Sequence, residues 1–216
     1  AGEIASLPEA SRQVLEAAAV IGDPFDPELV ADVAGVPQDR LLDALDGLLD
    51  GALVRATERP RRFAFRHPIV REAVYAGTPG GWRLTAHARA AAALKQRGAS
   101  PAARAHHVQY SARRGDREAI ELLSRTAQQL YGPAPATAAR LWAAAIELLP
   151  EDASEQRIGM QRDLASSFII AGDPSAARGV LLEALDGEPQ KDARFGLLAR
   201  LAATYVAEGL YEEGRR

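Results

Sequence analysis

The sequence predicts a mainly α-helical fold with one short β-hairpin in its first half. Three observations lead to this prediction. Alanine, leucine and arginine, which all favour helices, supply 45, 25 and 24 of the 216 residues. Apolar residues recur at helical spacing between glycine and proline breaks, and the spacing changes to period two only near residues 52–66. Beyond that point, a pattern of helical hairpins repeats along the chain.

Composition excludes several classes of protein. The sequence contains no cysteine, which excludes disulfides, a thiol nucleophile and cysteine-ligated metal sites. The formal net charge of -3 gives no global attraction to nucleic acid or to anionic lipid. No apolar run approaches the ~20 residues that cross a bilayer, and the N-terminus does not resemble an export signal. We therefore expect a cytoplasmic protein without membrane contact.

Residues 1–98 are predicted to form a winged-helix-like domain with trailing helices. Three short helices are expected over 8–20, 27–34 and 38–49, with Ser6 capping the first. The third helix carries a stripe of Leu41, Leu42, Leu45, Leu48 and Leu49. Two short strands then flank a polar turn at 57–62, which predicts a hairpin. Three helices followed by a hairpin is the order of a winged helix, and two further helices are expected over 67–77 and 82–96.

Residues 99–216 are predicted to form helical repeats. The expected helices cover 101–113, 117–131, 136–149, 155–171, 175–185 and 192–208. The repeated positions are Leu164, Phe168, Gly172 and Ala177, which recur 37 residues later as Leu201, Tyr205, Gly209 and Gly214. The pattern resembles the tetratricopeptide (TPR) repeat, although the spacing exceeds the usual ~34 residues. Because the last repeat stops inside its second helix, the array is expected to be truncated and the chain to be part of a longer protein.

The sequence carries no recognisable catalytic or metal-binding motif. It lacks a phosphate-binding loop and a serine–histidine–acid pattern, so the chain is not expected to be an enzyme. His106 and His107 point about 100° apart on a helix, which favours a structural pair over a metal site. His87 is expected to be a packing residue. Asp39, Asp43, Asp46 and Asp50 are expected to form the solvated face of the third helix, which also disfavours DNA binding by that helix.

Four segments carry a resemblance to a known family: LPEASRQVLEAAAVIGDPFD (7–26), LLDALDGLLDGALV (41–54), RFAFRHPIVREAVYAGTPGGWRLTAHARAAAAL (62–94) and AARAHHVQYSARRGD (102–116). They resemble the region after the nucleotide-binding domain in large ATP-binding LuxR-type transcriptional regulators of bacteria, which are signal-transducing ATPases related to the maltose regulator. Such proteins combine an ATPase, a winged helix, a helical repeat array and a DNA-binding helix-turn-helix.

The resemblance implies that the chain is a non-catalytic regulatory segment, which couples nucleotide state to effector binding through its repeats. No cofactor is expected in this segment, whereas ATP or ADP is expected in the parent protein. DNA would be bound only through a domain outside the chain. Two alternatives stay open: a TPR-type interaction scaffold, and the same module in an ATPase linked to a cyclase.

Two sets of candidate site residues follow. Residues 65–68 resemble the Met-His-Asp motif of related ATPases, which implies that His67 contacts ADP held by the parent's own ATPase domain, with Arg66 or Arg71 adding contacts. The alternative is that His67 merely caps a helix. The second set would line an apolar groove for an effector protein or an apolar small-molecule inducer, unless later repeats pack there. Its members are Arg162, Ser166, Ile169, Ile170, Ala199, Arg200, Ala203 and Val206.

Overall fold

The computed structural model describes residues 6–187 and 190–209. Within these residues the chain forms eleven helices and one two-stranded antiparallel sheet, which confirms the mainly α-helical fold with a short hairpin. The chain divides into two compact units, Ala1–Ser111 and Ala112–Arg216.

The first unit follows the predicted order of three helices, a hairpin and further helices. Its elements are α1 (Glu9–Ile21), α2 (Pro27–Ala34), α3 (Gln38–Asp50), β1 (Val54–Ala56), β2 (Phe63–Phe65), α4 (Pro68–Gly77), α5 (Gly80–Gln96) and α6 (Pro101–Val108). The two strands pair with Val54 opposite Phe65. Phe25, between α1 and α2, extends the sheet by two backbone hydrogen bonds with Phe63, of 2.8 and 3.1 Å.

Helix α1 is the centre of the first unit. It packs against α2, α3, α4 and α5, and its residues Val14, Leu15 and Ala17–Val20 are buried. A helix that is buried over most of its circumference needs small side chains where its neighbours approach, and the alanines of α1 provide them.

Three local predictions for the first unit need correction. Helix α1 begins at Glu9 with Pro8 in the cap position, so Ser6 lies before the cap. Leu42, predicted in the leucine stripe, is 56% exposed, and Ala44 takes its place in the core. Helix α6 ends at Val108 rather than near 113, and it packs against α5. Helix α6 therefore lies in the first compact unit, which ends at Ser111.

The second unit consists of helical hairpins. Its helices are α7 (Arg117–Leu130), α8 (Pro135–Leu148), α9 (Ser154–Ala171), α10 (Pro174–Asp186) and α11 (Lys191–Ala207), and each packs against the next.

Equivalent residues are buried in successive hairpins, which confirms the repeat-like packing. The buried residues of the second helices lie 39 residues apart: Ala138, Trp142 and Ala145 in α8, and Ala177, Leu181 and Ala184 in α10. The first helices bury Leu123, Met160 and Leu197, which lie 37 residues apart. The predicted repeat position Gly214 lies outside the described residues.

An arginine closes the C-terminal end of α8. The guanidinium of Arg157, on α9, donates hydrogen bonds to the carbonyl oxygens of Ile146 and Pro150, at 3.2 and 3.1 Å. The last carbonyl groups of a helix lack partners within the helix, and a cationic donor also interacts favourably with the negative end of the helix dipole. Arg157 thus joins two successive hairpins.

We predict that Arg157→Ala lowers the free energy of unfolding of the second unit by about 1–2 kcal/mol, because carbonyl oxygens lose charged donors. Urea denaturation followed by the fluorescence of buried Trp142, in a Trp82→Phe background, measures this change. Arg140→Ala is the matched control, since Arg140 is exposed on α8 and bonds only the hydroxyl of Thr137 among the described contacts. An equal loss in both variants would exclude a specific capping role.

Candidate functional sites

His67, which the sequence resemblance implies is a nucleotide contact, is exposed at the start of α4. His67 occupies the N-cap position and Pro68 the first helical position, as the sequence predicts. The His67 carbonyl accepts a hydrogen bond of 3.0 Å from the Val70 amide, which begins the helix. Within the described residues its imidazole makes no capping hydrogen bond, so the side chain is not a helix cap. Arg66 and His67 are exposed, and Ile69 is 72% exposed.

Arg71 lies one turn further along α4 and points into the unit. Its Nε donates a hydrogen bond of 3.1 Å to the carbonyl oxygen of Ala19, near the end of α1. The bond fastens α4 to the central helix. The structure therefore places Arg66 and His67 together on the surface, whereas Arg71 is partly buried and has a structural contact.

Two arginines of the hairpin turn form ion pairs with acidic residues at the start of α2. Arg62 forms an ion pair of 3.3 Å with Asp26, and Arg61 pairs with Glu28. Both acidic residues lie at the start of α2, so these arginines hold the hairpin turn against that helix. The four acidic residues of α3 are all exposed, as expected for a solvated face: Asp39, Asp43, Asp46 and Asp50.

Two histidines that lie 20 residues apart in the sequence contact each other inside the first unit. His87 on α5 and His107 on α6 are 2% and 3% exposed, and their Nδ1 atoms lie 3.0 Å apart. The hydroxyl of Tyr75, on α4, lies 3.1 Å from Nε2 of His87. Because the two Nδ1 atoms form a hydrogen bond, one of them carries the proton and the other accepts it. The three side chains form a hydrogen-bonded chain across three helices.

Burial keeps both imidazoles neutral at neutral pH. It lowers the pKa of His87 to about 4, and the positive charges of His106 and Arg83 act in the same direction. It lowers the pKa of His107 to about 3, with smaller contributions from His106 and His87. Desolvation penalises the charged form of a histidine, so the neutral hydrogen-bonded pair is the stable state.

A cavity of about 290 Å³ opens beside this chain of hydrogen bonds. His106 and Tyr110 lie one helical turn apart on one of its walls, and the rings of Tyr110 and His87 are 4.8 Å apart. Arg71, Glu72 and Val20 also line it. The sequence already shows the 71/75 and 106/110 spacings, but only the tertiary packing of α4, α5 and α6 reveals that they line one cavity.

Metal binding finds no support in the part of the chain that the structure describes. Within residues 6–187 and 190–209, no group of three or more histidine, aspartate or glutamate side chains is arranged to hold a metal ion.

Part of the predicted repeat groove forms a cavity of about 680 Å³ between α9 and α11. Arg162 and Arg200 line it, and Nε of Arg200 donates a hydrogen bond of 3.0 Å to Oγ of Ser166. Glu155 and Asp192 line the same cavity. The groove therefore combines charged side chains with apolar residues and is not the apolar groove that the sequence predicts.

The remaining predicted groove residues lie elsewhere in the second unit. Ile169 packs against a buried cluster that includes Ala165 and Leu181. The others are exposed and lie outside the lining of this cavity among the described residues: Ile170, Ala199, Ala203 and Val206. Ile169 is half-buried in the packing of its own and the following helices.

None of the described helices combines the length and the apolar composition that crossing a bilayer requires. Comparisons of the chain with models of known protein families, with curated protein sequences and with solved structures find no match. The resemblance to ATP-binding regulators therefore depends on the sequence motifs alone.

We predict that the free energy of unfolding of the first unit decreases as the pH falls from about 6.5 towards 4. In this range His87 and His107 bind protons when the unit is unfolded but not when they are buried in the folded unit. Each of the two histidines therefore lowers the free energy of unfolding by up to about 1.4 kcal/mol for every unit by which the pH falls. Above pH 6.5 the neutral histidine pair makes its full contribution to the free energy of unfolding. Chemical denaturation at a series of pH values gives the slope.

The variant His107→Gln should have a smaller slope over this range, whatever its stability at pH 7. Gln96→Ala, at an exposed position without a titratable side chain, is the control and should keep the wild-type slope. An unchanged slope in His107→Gln would show that this histidine does not titrate between the two states.

Proposed function

We propose that the chain is a regulatory segment of a bacterial ATP-dependent LuxR-type transcriptional regulator. In this proposal it performs no catalysis itself. Its first unit contacts the ATPase domain of the longer protein and responds to the bound nucleotide, and its repeats transmit that response to an effector. DNA is bound through a separate domain of the longer protein.

The surface at the start of α4 is the observation that carries the proposal. Arg66, His67 and Ile69 are exposed side by side in the chain, and the cationic, imidazole and apolar groups together suit contact with another protein surface. Helix α4 contributes one fully buried residue, Val74, among its described residues. A helix that gives so little to its own core has side chains available for a partner.

The electrostatics of this surface also suit a nucleotide. His67 stands at the N-terminal end of α4, where the helix dipole favours negative charge. A neutral imidazole can donate one hydrogen bond to a phosphate oxygen, and the adjacent Arg66 guanidinium can strengthen the contact. Arg71 supports this contact indirectly, because its bond to Ala19 holds α4 in place.

We predict that His67→Ala in the longer protein lowers the amount of co-purified ADP and raises transcription without inducer. The physical reason is the loss of a hydrogen bond in the ADP-bound resting state, worth about a factor of ten in affinity. Retained ADP and reporter output are measured on the same preparations. Gln96→Ala, at an exposed position on α5, is the control and should change neither quantity. Unchanged ADP content and unchanged basal transcription in His67→Ala would refute the sensing role.

A second prediction concerns the chain by itself. Because the sequence has no phosphate-binding loop, we expect isothermal titration with ATP and Mg²⁺ to detect neither micromolar affinity nor hydrolysis. A defined stoichiometry with micromolar affinity would require a nucleotide site within this chain and would overturn the division of roles proposed above.

The alternative is an interaction scaffold, and the charged cavity between α9 and α11 favours it. A scaffold would bind its partner through the repeats and would not need the exposed His67. Arg162→Glu together with Arg200→Glu would then abolish partner binding, whereas His67→Ala would leave partner binding, retained ADP and basal transcription unchanged. Sequence flanking the chain distinguishes the two, since a phosphate-binding loop upstream indicates an ATPase, and a cyclase domain would indicate the cyclase-linked form.

A further inference from the structure

We propose that the cavity between α4 and α6 of the first unit binds a planar aromatic carboxylate. The cavity is lined by residues other than the exposed Arg66, His67 and Ile69, and the proposal does not depend on the regulatory role described above.

Aromatic rings form one continuous wall of the cavity. The rings of His87 and Tyr110 are 4.8 Å apart at an interplanar angle of 37°, and His106 meets the Tyr110 ring edge-on at 5.6 Å. Tyr75 contacts His87 edge-on at 6.1 Å. Because neighbouring rings are tilted or edge-on to one another, a ligand would stack on the exposed ring of Tyr110 rather than insert between two rings. Such a wall favours a flat, aromatic ligand.

The histidine at the floor presents ring atoms rather than hydrogen-bonding groups. Both nitrogens of His87 have partners, Tyr75 and His107. Burial keeps the pKa of His87 near 4, so its ring carries no charge at neutral pH. His87 therefore adds an uncharged, largely buried ring behind Tyr110, an environment that suits an aromatic ring better than a strongly hydrated ion.

The opposite wall supplies a positive charge. Arg71 lines the cavity, and its bond to Ala19 uses one of the five guanidinium N–H donors. The bond occupies Nε, so the four N–H donors on the terminal nitrogens are not used by it, and in this proposal they pair with the carboxylate. Glu72 also lines the cavity and is exposed. Its negative charge repels a carboxylate ligand. Arg71 is therefore expected to raise the affinity for the ligand and Glu72 to lower it, and substitutions at the two positions can separate these effects.

The size of the cavity limits the ligand. A volume of about 290 Å³ is close to the lower end of the range for small-molecule sites, roughly 300–1,000 Å³. It suits one or two fused rings with a single acidic substituent. Nucleotides and peptides are larger than this.

The test uses the whole chain, 15N-labelled, titrated with benzoate and with indole-3-carboxylate and followed by NMR. We expect saturable shifts of the amides of residues 71–75 and 106–110 with a dissociation constant below about 1 mM. Cyclohexanecarboxylate should bind at least about 5-fold more weakly, because it cannot stack. Indole-3-carboxamide should bind at least about 10-fold more weakly, because it lacks the charge that Arg71 pairs with.

Four variants establish the location of the site. Tyr110→Ala should weaken binding of indole-3-carboxylate by about 5-fold or more, and Arg71→Lys by a similar factor, since lysine keeps the charge but not the paired geometry. Glu72→Gln should tighten binding by about 2-fold or more, because it removes the opposing charge. Tyr131→Ala, at an exposed tyrosine of the second unit, should have no effect.

Glu72→Gln and Tyr110→Ala change partly or fully exposed side chains, so they keep the test valid if Arg71→Lys unfolds the unit. Absence of saturable shifts at these amides, equal binding of cyclohexanecarboxylate, or wild-type affinity in Tyr110→Ala would each overturn the proposal.

Discussion

Hydrogen bonds from arginine side chains to carbonyl oxygens at helix C-termini join the helices of each unit. Arg71 reaches the end of α1, Arg89 the end of α2, and Arg157 the end of α8. The terminal carbonyl groups of a helix need partners, and alanine side chains provide none. In an alanine-rich chain, long cationic side chains from neighbouring helices meet this requirement and fix how the helices pack.

The bond from Arg71 has the widest consequences for function. It fastens α4 to the central helix of the first unit, and both candidate sites of that unit lie on α4. His67 is exposed where the helix begins, and Tyr75, in its last turn, meets His87 beside the aromatic cavity. This contact acts together with the burial of Val74 and the bond between Tyr75 and His87 to hold the helix on which both candidate sites lie.

Local sequence signals predicted most of the helices, because glycine and proline mark their ends and apolar spacing marks their faces. The boundary between the two units was harder to predict from the sequence, because only tertiary packing shows that α6 packs against α5. Likewise, the alanine context of His87 indicates burial, but nothing near it in the sequence identifies His107 as its partner. The packing of Ile169 was also not evident from the sequence, because its contacts with the cluster that includes Ala165 and Leu181 depend on how neighbouring helices meet.

Hydrogen exchange of backbone amides in Arg71→Ala tests most directly whether this one contact holds α4 in place. If it does, amides of residues 68–77 should exchange about ten-fold faster than in the wild-type chain, because a bond worth about 1–1.5 kcal/mol is lost. Amides of α8 and α9, in the other unit, should exchange at wild-type rates. Unchanged exchange in α4, or equally faster exchange throughout both units, would contradict the assigned role of Arg71.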